Sequence, residues 1–114
     1  METDHKFIIG IPLNVANLDD IGMPWEEIRW EDFEITSADY ALLFDLFTKF
    51  NSAFGIIIDE YEEEVIPADK ISEAISLTEN YKEKFNDEHV QAADKLLSAL
   101  NRAKELNKPV ELSF

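Results

Sequence analysis

The chain has 114 residues, with 25 acidic and 10 basic side chains, a formal net charge of -15 and no cysteine. This length predicts one domain over residues 1–114, and a 46% share of apolar residues predicts a packed core rather than disorder. The absence of cysteine excludes disulfide scaffolds, zinc ribbons and thiol catalysis. The charge argues against direct nucleic-acid binding, because phosphate contacts rely on Lys and Arg.

The first third of the chain predicts two strands. Residues 5–13 form an apolar, β-branched run that is typical of a strand, and a loop follows at 14–24. From Trp25 to Ile35 apolar and charged residues alternate in two pieces. The change of phase between the pieces predicts a bulge or bend at Glu31–Asp32.

A central helix is predicted next. Thr36 or Ser37 can cap its start, and Gly55 can end it in a left-handed conformation. Its apolar residues recur at three- and four-residue steps and leave only about 100° of polar surface, so neighbours are expected on most sides. The triplet Ile56–Ile58 predicts a short strand or a buried turn.

The second half predicts two more helices and a last strand. Residues 65–67 lead into a helix with Pro in its first turn. Asn86 or Asp87 can cap the next helix, which ends before Pro109. Apolar and polar residues alternate over residues 110–114, which predicts a strand paired with the first one. The predicted fold is therefore α+β, with a small, mostly antiparallel sheet packed against about three helices.

The negative charge is concentrated in the first part of the chain. Residues 1–64 hold 16 acids and 3 bases, whereas residues 65–114 hold 9 acids and 7 bases. Most of the excess lies in two clusters that contain aromatic residues. The Trp cluster comprises Trp25, Glu26, Glu27, Trp30, Glu31, Asp32 and Glu34, and the Tyr cluster comprises Asp59, Glu60, Tyr61, Glu62, Glu63 and Glu64.

The crowded carboxylates of these clusters repel one another, and the binding of a basic partner would relieve that repulsion. Aromatic residues in the same patch are typical anchors of protein interfaces. The clusters therefore predict a surface that binds a basic protein. The predicted partner-binding residues are Asp59, Glu60, Tyr61, Glu62, Glu63, Glu64, Trp25, Glu27, Trp30 and Glu31. The alternative interpretation is that both clusters are solvated loops and that the tryptophans belong to the core or to a sheet face.

No motif for catalysis, a cofactor or a metal is found. An EF-hand starting at Asp59 would need Gly at its sixth position and Glu at its twelfth, where the chain has Glu64 and Lys70. The two histidines, His5 and His89, lack metal-ligand spacing. Neither a glycine-rich phosphate loop nor a nucleophile elbow is present. The chain is predicted not to be an enzyme and to use no cofactor.

A cytoplasmic location without a membrane partner is predicted, because no apolar stretch reaches the length of a membrane helix and the N-terminal apolar run is too short for a secretory signal.

The size, the acidity, the α+β layout and the closing helix followed by Pro-Val-Glu-Leu-Ser-Phe resemble the immunity proteins that bacteria make against polymorphic or contact-dependent toxins. The resemblance implies a cytoplasmic inhibitor that covers the active site or substrate-binding surface of a basic toxin domain, such as a nuclease. Two other classes stay open: a DNA-mimic regulator of a nucleic-acid-binding protein, and a structural adaptor or subunit whose acidity is incidental.

Overall fold

The computed structural model describes residues 6–14, 27–60 and 62–114. Within these residues, four strands form one antiparallel sheet in the order β2-β1-β4-β3, accompanied by four α-helices. This arrangement confirms the predicted α+β class. The elements in chain order are β1 (Phe7–Pro12), β2 (Trp30–Ile35), α1 (Ser37–Leu42), α2 (Phe44–Phe54), β3 (Glu63–Ile66), a 3-10 turn (Ala68–Lys70), α3 (Ile71–Lys82), α4 (Glu88–Leu106) and β4 (Val110–Ser113).

The two central strands of the sheet are β1 and β4. Ile9 of β1 lies opposite Leu112 of β4 in antiparallel register, so the predicted pairing of the last strand with the first is confirmed. Strands β2 and β3 complete the two edges. Residues 8–10 of β1 and residues 111–113 of β4 therefore have a neighbouring strand on each side.

β2 is one regular strand, and the predicted bulge at Glu31–Asp32 is wrong. Each residue from Trp30 to Ile35 lies opposite one residue of β1. Because side chains alternate along a strand, Trp30 lies on one face of the sheet and Phe33 on the other. The alternation changes phase in the sequence because Trp30 is an apolar residue of one face, whereas Phe33 and Ile35 are apolar residues of the other face.

The helices pack against one face of the sheet. Every strand residue in the buried core occupies that face, and together with the buried helical residues they form one hydrophobic cluster. These strand residues are Phe7, Ile9, Ile11, Ile35, Ile66, Val110 and Leu112. The opposite face, called the outer face below, carries Ile8, Gly10, Pro12, Trp30, Asp32, Glu34, Glu63, Val65, Glu111 and Ser113.

The predicted central helix is two helices, which meet at Leu43. This residue has φ -96° and ψ 5°. Its N–H donates hydrogen bonds to the carbonyl oxygens of Asp39 and Tyr40, which tightens the turn. The predicted end at Gly55 is confirmed, because Gly55 has φ 68° and its N–H bonds the carbonyl of Asn51.

The chain between α2 and α3 differs from the sequence prediction. Residues 56–58 form no strand; Ile58 is buried, whereas Ile57 is 70% exposed. The strand in this region is β3, formed by the acidic residues Glu63–Ile66, whose backbone pairs with β4. Pro67 then precedes a 3-10 turn, and the α-helix begins only at Ile71.

Thr36→Ala should lower the free energy of unfolding by about 1 kcal/mol. The Thr36 hydroxyl accepts a bond from the Asp39 N–H, and the Asp39 carboxylate accepts one from the Thr36 N–H, each at 3.0 Å. Chemical denaturation measures the loss. Ser37→Ala, one residue further on at an exposed position, is the control, and an equal loss there would contradict the assigned cap.

Candidate partner-binding surface

The Tyr cluster lies partly in a loop and partly in β3. Asp59, Glu60 and Glu62 are exposed. In β3, Glu63 lies on the outer face, whereas Glu64 lies opposite Leu112 on the helix-packed face and is half-buried. Tyr61 is outside the described residues. Three predicted partner-binding residues are thus exposed close together before β3, and one of them, Asp59, accepts a hydrogen bond from the Glu60 N–H at 2.8 Å.

This loop begins beside α1. Burial, followed by the negative charges of Asp59 and Glu60, raises the pKa of Tyr40 above its ordinary value. Tyr40 is itself buried and stacks on Phe7 at a centroid distance of 4.9 Å. The acidic loop is therefore anchored against the aromatic core rather than projecting far from it.

The Trp cluster is divided between the two faces of the sheet. Glu31 lies on the helix-packed side and accepts bonds from Arg102 Nε at 3.3 and 3.1 Å. Trp30, Asp32 and Glu34 lie on the outer face, and Glu27 is exposed before β2. The predicted Trp25 is outside the described residues. Glu31 therefore has a basic partner within the chain, whereas the outer-face carboxylates form no ion pair among the described residues.

The two clusters occupy opposite edges of one sheet and contribute to the same face. β2 and β3 are separated by β1 and β4, so the strands that carry the outer-face carboxylates Asp32 and Glu63 lie about three strand spacings, or about 14 Å, apart across the sheet. Between them, Glu111 of β4 lies opposite Gly10 on one side and Val65 on the other. Residues far apart in the sequence thus form one acidic surface.

A cavity of about 180 Å³, called the acidic pocket below, lies on the outer face. It is lined by strand residues alone, which are Ile8, Gly10, Trp30, Asp32, Glu63, Glu111 and Ser113. Gly10 is needed for its shape, because a Cβ there would lie 2.9 Å from Cε3 of Trp30. The absence of a side chain at Gly10 allows the indole to lie against β1 and form one wall.

Glu111 is the buried acid of this pocket. It is only 8% exposed, and no hydrogen bond or ion pair to its carboxylate is found among the described residues. Burial, with added repulsion from Glu63 and Asp32, raises the pKa of Glu111 from 4.5 to about 7. The carboxylate therefore changes charge near neutral pH.

Glu111 was not among the residues predicted to bind a partner. Polar and apolar residues alternate along the last strand, so the sequence places Glu111 on the face opposite to that of Val110 and Leu112. Its burial depends on β3, which the sequence did not predict, and on Trp30. A charged residue within a strand that is paired on both sides is the signal that could have identified it.

No three acidic or histidine side chains among the described residues are arranged to hold a metal ion. The acidic pocket therefore offers charge and an aromatic wall rather than a metal-ligand set.

None of the described helices is both long enough and apolar enough to span a membrane. No family model matches the chain, and no curated protein or solved structure matches it either.

Proposed function

We propose that this chain is a non-enzymatic, acidic inhibitor of a basic protein, of the kind that bacterial immunity proteins represent, and that it acts in the cytoplasm on a toxin domain such as a nuclease. The observation that supports the proposal is the meeting of both acidic clusters on the outer face of one sheet, next to an exposed loop that carries Asp59, Glu60 and Glu62. The partner would supply the Lys and Arg side chains that this surface lacks.

Charge complementarity would favour the docking of a basic protein on this surface. Exposed carboxylates that have no internal partner repel each other, and docking of a basic surface relieves that repulsion and accelerates association. Charge-assisted hydrogen bonds from Arg or Lys to carboxylates are about twice as strong as neutral ones. The cationic groups that hold substrate in a nuclease cleft would suit this surface.

The test is reversal of charge in the exposed loop. Glu60→Lys combined with Glu62→Lys should weaken binding to the basic partner at least tenfold at low salt, because each substitution replaces attraction with repulsion. The partners to assay are any basic protein domains encoded next to the gene, with binding measured by calorimetry and inhibition measured as the loss of the partner's activity. Glu73→Lys combined with Glu79→Lys on α3 makes the same change of charge at exposed positions elsewhere and should cost less than threefold.

Two results would overturn the proposal. One is that no adjacent basic domain binds or is inhibited. The other is that both double variants lose affinity equally, because net charge alone would then account for binding.

A further inference from the structure

We propose that the acidic pocket binds a guanidinium group, supplied by an arginine side chain of the partner protein. This inference rests on the proposed function, since it identifies the group that the inhibitor would capture. It starts from a cavity whose wall contains Glu111, a residue that is 8% exposed and that forms no ion pair among the described residues.

Glu111 lies in the wall of the pocket next to two further acids. Burial of an ionised carboxylate without a partner is costly, and the charged groups that face Glu111 increase the cost. These groups are Asp32 on β2 and Glu63 on β3, and both are acids; β1 contributes Gly10 and Ile8, which carry no charge. The pocket thus holds three carboxylates, and no ion pair among the described residues involves them.

The carboxylates of the pocket form no metal-ligand set among the described residues, and their spread suits a larger cation. Asp32 and Glu111 lie opposite Gly10 on its two sides, so their Cα atoms are about 10 Å apart. A metal needs its ligand oxygens within about 2.6 Å, and no such set occurs among the described residues. A guanidinium group presents five N–H donors in a plane, so it can donate to Glu111 and to a second carboxylate of the pocket while its flat face lies against the indole of Trp30.

The remaining walls suit a flat cation. The indole of Trp30 lies against Gly10, and guanidinium groups stack on aromatic faces. The cavity of about 180 Å³ holds the equivalent of about six waters and is smaller than the roughly 300 Å³ at which drug-sized sites begin. It therefore fits one side-chain head group rather than a whole metabolite.

The pocket also lies where a partner would dock. Its carboxylate Glu63 belongs to the Tyr cluster, whose exposed loop residues Glu60 and Glu62 lie immediately before β3. Arg is enriched among the residues that dominate interface energetics, and such residues occupy desolvated pockets surrounded by weaker polar contacts. The exposed loop would supply those weaker contacts.

The direct test is an NMR titration of the whole chain with N-acetyl-arginine amide. The Trp30 indole and Glu111 carboxyl resonances should shift together, and Glu111→Gln should weaken binding at least tenfold. The control is Glu34→Gln, an exposed acid of the outer face that does not line the pocket, which should cost less than twofold. Binding should also weaken about tenfold from pH 8 to pH 6, as Glu111 takes up a proton.

N-acetyl-lysine amide and CaCl2 are the competing probes. Both should bind at least tenfold more weakly than the arginine derivative. Equal binding of either one would overturn the guanidinium assignment. So would the absence of shifts at about 100 mM arginine derivative, a concentration that would saturate a site with a Kd near 1 mM.

Measurement of partner affinity separates this inference from the proposed function. If Glu60→Lys with Glu62→Lys weakens partner binding and Glu111→Gln does not, the inhibitor proposal stands and the arginine pocket is overturned. If Glu111→Gln weakens both partner binding and arginine-derivative binding at least tenfold, the inference is supported. If the arginine derivative binds and no basic protein does, the proposed function fails.

Discussion

Glu111→Gln should raise the free energy of unfolding at pH 8 by up to about 3 kcal/mol. The pKa of Glu111 is about 7 in the folded chain against an ordinary 4.5, so the folded state binds the proton more tightly than the unfolded state. Stability conferred by Glu111 is therefore fully present below pH 4.5 and is lost as the pH rises to 7. Denaturant titrations of the variant and the parent at pH 4.5 and pH 8 measure the difference.

The size of the effect follows from the environment of the carboxyl group. Glutamine keeps the shape of the protonated acid and has no charge to bury. At pH 4.5 the two proteins should therefore differ little, and the gap should open between pH 4.5 and 7. Glu34→Gln removes one charge from an exposed position of the same face and should change stability by about 0.5 kcal/mol or less. A gap that is independent of pH, or equal in both variants, would contradict the buried carboxylate.

Phe47→Ala should destabilise the fold by about 3–5 kcal/mol, a large part of the roughly 5–15 kcal/mol that holds a domain together. Phe47 is 1% exposed, and its ring contacts those of Tyr40, Phe50 and Phe114 at centroid distances of 5.3 to 6.0 Å. Removal of the ring leaves a cavity where α2 meets the sheet. Chemical denaturation at constant pH measures the loss.

Phe44→Ala is the matched control, because it makes the same substitution in the same helix. Phe44 is 53% exposed, so its truncation should cost about 1 kcal/mol or less. The ratio of the two losses tests which face of α2 is in the core. Similar losses would contradict the placement of α2.

The sequence contained most of the information about the helices and the central strands. Apolar residues recur at helical spacing along α3 and α4, and the residues of that pattern fill the buried faces: Ile71, Ala74, Leu96 and Leu100 are all at most 1% exposed. The alternation of the last strand predicted β4 and its pairing with β1, which is confirmed. These features are local, because one helix face or one strand face is readable from its own residues.

The β3 edge of the sheet and the acidic pocket depend on contacts that no local pattern records. Glu63 and Glu64 look like part of a solvated acidic run, but the exposed edge of β4 pairs with their backbone and this pairing overrides their low strand propensity. The pocket then requires Glu111, Asp32 and Gly10 to meet across three strands. The sequence therefore predicted an acidic surface, but it did not identify the buried carboxylate at the centre of that surface.

The most direct test of the account is the titration of the Glu111 carboxyl group by NMR, without and with N-acetyl-arginine amide. The account predicts a pKa of about 7 in the free protein and a clear fall in that pKa when the arginine derivative binds, because a cation stabilises the ionised form. A pKa near 4.5 in the free protein, or a raised pKa that the arginine derivative leaves unchanged, would contradict it.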